Sequence, residues 1–143
     1  MVAQTATPPD LEAFLCGYLR AVLGIECGNK QPESWDGSTD LCVVRDDGGA
    51  KTGAVTFDRS VGVTVYAGTR QDTEPAMRLA QRAYAALSSP TICFEKGSPI
   101  AAVDGEGFNG PYRIDDGHDK SACYLTAAYS VVGEVTEQQT VLG

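Results

Sequence analysis

Histidine is almost missing from this sequence, which has one, His118, in 143 residues. A single imidazole excludes multi-histidine metal centres and leaves Ser-His-Asp or Cys-His chemistry dependent on one position. No G-x-S-x-G elbow occurs, so a hydrolase triad lacks its nucleophile turn. No C-x-x-C pair occurs among Cys16, Cys27, Cys42, Cys93 and Cys123, which removes the zinc-ribbon and thioredoxin signatures. Long apolar runs are missing too. Nothing approaches the roughly 18 uninterrupted apolar residues of a membrane helix, and no span is expected. Basic residues are scarce, with 11 Lys and Arg against 19 Asp and Glu and a net charge of −8. Phosphate neutralisation needs clustered Lys and Arg, so nucleic-acid binding is not expected. The first ten residues, MVAQTATPPD, have no basic region and no apolar core, so no Sec-type signal peptide is expected. Four of the five cysteines lie in apolar runs, where a free thiol behaves as a small hydrophobe. They are read as reduced thiols of a chain made in a cytoplasm.

What is present is the pattern of one globular domain over 1–143, of a length that buries about 70% of its unfolded surface. Residues 1–8 read as an N-terminal arm, and 136–143 as a polar C-terminal tail, mobile or docked on a partner. Thr7 is the expected N-cap of a first helix, with prolines and Asp10 in its first turn. Leu11, Phe14, Leu15, Tyr18, Leu19 and Val22 then form one stripe. Gly24 is the expected stop. Gly17 inside the helix suggests a close packing contact. Residues 24–40 read as loop, Leu41–Arg45 as a buried strand, and 46–49 (Asp-Asp-Gly-Gly) as hairpin turn chemistry. Ala54–Phe57 is a returning strand or an extension of that loop. Val61–Ala67 is the clearest strand by alternation. A second helix is expected from an Asp72 cap, through Pro75, along Ala76, Leu79, Ala80, Ala83, Tyr84 and Leu87. Thr91–Phe94 and Pro99–Val103 read as short strands, 104–120 as a long loop, and Ser121–Val135 as a long strand with a bend or bulge. The expected fold class is α+β, a single domain with a mixed or antiparallel β-sheet and two main α-helices packed on one face.

Four patterns invite a chemical reading. Gly105-Glu106-Gly107-Phe108-Asn109-Gly110 is a literal G-x-G-x-x-G, but no helix begins there, and Glu106 would face the phosphates, so it reads as a flexible loop. Asp115, Asp116, His118 and Asp119 fit neither an EF-hand loop nor H-E-x-x-H and read as a solvated turn. The pairs Asp46-Asp47 and Asp115-Asp116 are neighbours in sequence, which alone does not aim two carboxylates at one substrate. Trp35 and Phe108 lie in predicted loops, where a subunit contact or a core anchor is equally in keeping. No catalytic constellation, cofactor site or metal site emerges.

Three features carry a family resemblance. They are the helix opened by Pro9-Asp10-Leu11, the unit Val61–Ala67 leading through Asp72 and Pro75 into Ala76–Leu87, and Gly110-Pro111-Tyr112-Arg113 followed by an acidic loop and the strand from Ser121. Over residues 9–135 this order resembles the tail terminator (tail completion) proteins of long-tailed bacteriophages, those of actinobacteria-infecting phages above all. The resemblance implies a structural virion protein at the head-proximal end of the tail, without enzyme activity or cofactor. It implies a hexameric ring, a homo-oligomer, that ends tail-tube polymerisation and meets the tail tube protein on one side and a head-completion (neck) protein on the other. Genomic DNA would pass through the ring without specific binding. On that reading Asp46, Asp47, Asp115 and Asp116 are candidates to line the opening, where negative charge repels DNA, or else a solvated acidic surface. Trp35 and Phe108 are candidate interface residues. A head–tail adaptor or a tail-tube subunit is the alternative, and a small ligand-binding domain or enzyme a more distant one.

Overall fold

In the computed structural model, residues 2–117 and 119–141 are described. The elements run β1 (Val2–Thr7), α1 (Leu11–Leu23), β2 (Glu26–Gly28), β3 (Leu41–Asp46), β4 (Thr56–Ala67), α2 (Glu74–Ser88), a 3-10 helix (Pro90–Phe94), β5 (Ile100–Val103), a 3-10 turn (Gly105–Gly107), β6 (Asn109–Ile114), β7 (Ser121–Val132) and β8 (Glu134–Gln139). The fold is α+β. The main sheet has the order β2-β3-β4-β7-β5, with β6 also on β7. Only β2 and β3 are parallel. Since β4 pairs with β7 along its full length, β5 and β6 share the other side of β7, end to end. A separate two-stranded ribbon joins β1 to β8.

Both helices lie on one face. Leu11, Leu15 and Leu19 of α1 and Ala76, Ala80, Ala83 and Leu87 of α2 share one core with Val61, Val63 and Val65 of β4 and Cys123, Leu125 and Ala127 of β7. Three fully buried alanines on α2 allow its backbone to approach the sheet closely. Polar ties hold the helices in place. Tyr18 donates to the Ala86 carbonyl at 3.1 Å, Arg82 to the Val22 carbonyl at 2.6 Å, and Tyr129 of β7 to the Leu87 carbonyl at 2.7 Å. Arg82 and Tyr129 serve last-turn carbonyls at the ends of α1 and α2, and Tyr18 adds a second donor to the Ala86 carbonyl, which also accepts from the Ser89 N–H at 3.3 Å. On the opposite face a smaller cluster joins Leu41, Tyr66 and Ala122 beneath Trp35.

Several expectations are corrected. The cap of α1 is Asp10, which accepts from the Ala13 N–H at 3.1 Å, because Thr7 is committed to the ribbon opposite Glu134. Gly24 does end α1, in the left-handed conformation (φ 70°) that favours glycine. Gly17 marks no close contact, since a Cβ there would meet nothing within 4 Å. Thr73 rather than Asp72 precedes α2, for Asp72 is tied into a tight turn with Thr69. The 24–40 loop contains β2. Ala54–Phe57 and Val61–Ala67 are not separate strands, as β4 runs unbroken from Thr56 through both. Thr91–Phe94 is a 3-10 helix. Pro90 presets its first turn, Ser89 Oγ accepts from the Thr91 N–H at 3.3 Å, and Ile92 alone plunges into the core. The 104–120 loop contains β6, with Tyr112 opposite Tyr124 and Ile114 opposite Ala122. The predicted bend in the last strand is the break at Gly133 between β7 and β8. The N-terminal arm and the polar tail pair with each other, from Val2 opposite Gln139 to Thr7 opposite Glu134.

Candidate functional site

The sheet holds the two aspartate pairs apart. Asp46 ends β3 opposite Val61, while Asp116 meets Tyr66 five residues further along β4. At the rise of a strand these are about 16 Å apart. Asp46 is mostly enclosed. Its carboxylate accepts from the Gly48 N–H at 2.8 Å and lies 3.6 Å from Arg59 Nε, and its own N–H donates to Glu12 at 2.8 Å. Asp47 accepts from Arg45 Nε at 2.6 Å. Asp115 is 81% exposed at its side chain and accepts from Arg70 at 3.2 Å. The Gly117 N–H, then Arg70, hold its carboxyl below the usual range. Asp116 accepts from the Tyr66 hydroxyl, and burial, then this bond, pushes that hydroxyl up to about 12. All four aspartates are therefore paired with arginine or braced against tyrosine, and only Asp47 finds its partner close by in sequence. His118 lies outside the described residues.

Trp35 and Phe108 differ in setting. Phe108 is wedged between Tyr84 and Tyr129 at centroid distances of 5.5 and 5.8 Å, edge to face. It anchors the 104–109 connection to the main core. Trp35 packs against Tyr66 with the ring centroids 5.1 Å apart and the planes tilted by 56°, and donates from Nε1 to the Thr39 carbonyl at 3.1 Å. It folds the 29–40 segment over one end of the helix-free face. Its neighbour Asp36 is held below the usual carboxylate range by Ser38. The G-x-G-x-x-G stretch forms a 3-10 turn that passes directly into β6, with Asp104 accepting from the Glu106 N–H at 3.2 Å. Without a following helix it has no N-terminal cradle for a pyrophosphate.

The cysteines are free thiols. Cys27 and Cys42 are register partners on β2 and β3. Their hydrogen bond, then burial, pushes the Cys42 thiol well up. Burial, then Cys27, raises Cys16 to about 11. Only Cys93 is partly exposed. The Cys27–Cys42 hydrogen bond lowers Cys27, but its thiol is buried, and a reagent needs access as well as thiolate. An aromatic disulfide reagent at neutral pH should therefore label one thiol rapidly in the native protein and five in denaturant. Rapid native labelling of two or more would contradict this packing. Among the described residues no group of three or more His, Cys, Asp or Glu side chains is placed to hold a metal. The clefts at Arg70–Arg113–Lys120 and at Gly48–Arg59–Asp104 are open and shallow.

What stands out is apolar surface and unfinished backbone, which sequence reasoning missed. Phe94 is 86% exposed at the foot of β5. Val2 and Val135 are exposed on the ribbon, on the same side of it by the register. All six residues of β8 are exposed. Among the described residues β1 and β8 chiefly contact each other, with Ala6 packed against the main core. The signal for the ribbon in the sequence is weak, no more than the Val and Thr content of VAQTAT and EVTEQQ, since neither segment alternates apolar with polar residues.

Compared with known proteins, the chain matches no family model and no curated protein. Its own geometry defines the class: an α+β domain with a helix-free sheet face partly covered by the 29–40 segment, open clefts and a terminal two-stranded ribbon.

Proposed function

We propose that the chain is a structural virion protein, a tail terminator. It forms a ring at the head-proximal end of a phage tail tube, ends tube polymerisation and joins the tail to the neck. The observation that carries this reading is the β1–β8 ribbon. An isolated two-stranded ribbon is marginal in water. This one meets the core through Ala6 at its base, while Val2 and Val135 stay exposed and no further strand pairs with either edge among the described residues, so a neighbour supplies the burial it lacks. Unlike patches on one subunit, repeated around an axis, close into a ring. The partners are then copies of this chain, the tube protein and a neck protein, with genomic DNA passing through. Asp115 and Asp116, at the open end of the loop after β6, are the better lumen candidates, and Asp46 is too enclosed to present its charge there.

Native mass spectrometry with electron microscopy of the purified chain tests this. The expected result is a closed ring of about six copies. Long tubes would make it a tube subunit. Turnover of a small molecule by a monomer would end the structural reading.

A further inference from the structure

A chain with a charge of −8 resists self-association unless its copies meet where acid does not face acid. Edge strands are the natural meeting places, and proteins usually blunt them with charge. Two edges here carry no charge. β1 (VAQTAT) and β5 (IAAV) contain no charged residue, and among the described residues each pairs on one side only, β5 with a register shift between Ile100 and Ala102. The remaining edges carry charge or lose a donor, as β2 has Glu26, β6 has Arg113 and Pro111, and β8 has Glu134 and Glu137. Beside β5, Glu95 and Lys96 cancel, Ala101 and Ala102 are exposed, and Phe94 offers an uncovered ring. Beside β1, Val2 and Val135 offer exposed apolar groups.

We infer that β1 of one copy adds to the free edge of β5 in the next copy, with Val2 and Val135 of the ribbon packing toward Phe94. The occupant of the β5 edge is thus a second copy of this chain. The added strand gives backbone hydrogen bonds, and the valine–phenylalanine contact gives apolar burial. The two patches differ, so the contact runs head to tail and closes into a ring when its rotation allows. It rests on the ring reading above and names the contact that builds the ring. The edge of β5 is short, so one contact is weak, and closure gives every subunit two.

The test uses two full-length variants. Val2→Asp/Gln4→Asp spoils the ribbon and leaves the β5 edge. Phe94→Asp/Ala101→Asp spoils the β5 edge and leaves the ribbon. All four positions are exposed, so both variants should keep the parent's circular dichroism and melting. Each alone should fall from the ring to a 15.1 kDa monomer, with at least a tenfold loss of association. Mixed in equal amounts at high concentration, they should form a one-to-one dimer that grows no further, because one good contact remains per pair. Rings that persist in either variant, or a mixture that stays monomeric, would overturn this contact while leaving the ring reading intact. A wild-type chain that is monomeric under the same conditions would overturn both.

Discussion

The Leu125→Ala protein should unfold about 3 kcal/mol more easily than the parent, within the usual range for a buried leucine. Leu125 is fully buried on β7, opposite Val63 of β4, on the face that α2 covers. Deleting its branched end removes apolar burial and leaves a void. The void should stay open, because the helix side of the interface is alanine. Ala76, Ala80 and Ala83 have no longer side chains to swing in, and the α2 backbone already lies close to the sheet. The C-terminal end of α2 is also pinned by Tyr129 to the Leu87 carbonyl. Urea titration should show a lower midpoint with an unchanged slope, and the melting temperature should fall by about 10 °C. A loss under about 1 kcal/mol would mean that the helix collapses into the gap, which this packing does not permit.

The core was legible because its signals are local. The stripe of α1, the alanine stripe of α2 and the alternation Val61-Val63-Val65 each repeat at the period of their own element, and each meets the shared core. Most of the misses come from pairing between segments distant in sequence. Thr7 looks like a helix cap until Glu134 pairs with it. Asp58-Arg59-Ser60 breaks the alternation of β4, yet Ser130, Tyr129 and Ala128 of β7 hold those residues in the strand. Pro111 and the glycines around it hide β6, which β7 recruits at its free side. Thr91–Phe94 has strand-forming residues but only one fully buried apolar group, Ile92, with Cys93 partly buried beside it, so a tight helical turn serves it better.

The candidate site was less legible than the fold. Phe108, read as a loop aromatic, turns inward because Tyr84 and Tyr129 form a slot for its ring. Phe94, inside a segment read as strand, turns outward because the 3-10 helix aims Ile92 at the core instead. Which aromatic of a segment is buried depends on the turn type, and composition does not encode that. The aspartates were found as pairs, but their pairing to Arg45, Arg59, Arg70 and Tyr66 depends on strand register. In physical terms, the sequence reveals which residues want burial, and the topology decides which of them are left without it.

A Gly133→Val chain should keep its folded core and lose its assembly. Gly133 joins β7 to β8 at the base of the ribbon, and its N–H donates to the Val55 carbonyl at 2.8 Å. A Cβ at this position would collide with the Thr7 carbonyl and sit 2.7 Å from Phe57 Cε2. The Phe57 ring is 5% exposed and has little room to retreat, and the Thr7 oxygen is backbone. The cheaper response is for β1 to part from β8 at this end. Two-stranded ribbons have little else to hold them, so the opening should spread along the pair. Limited proteolysis should then cut within 2–7 and 134–139 in the variant and spare both in the assembled parent. Core stability should fall by about 1–3 kcal/mol, the usual cost of overpacking, while the ring mass should collapse to the monomer. Gly17→Ala is the matching control, since its methyl meets nothing within 4 Å, and should stabilise by up to about 1 kcal/mol with assembly unchanged. A Gly133→Val protein that still forms rings of the parent's mass would show that the ribbon is not what joins the subunits, and the ring would then have to be built from the helix-free face of the sheet.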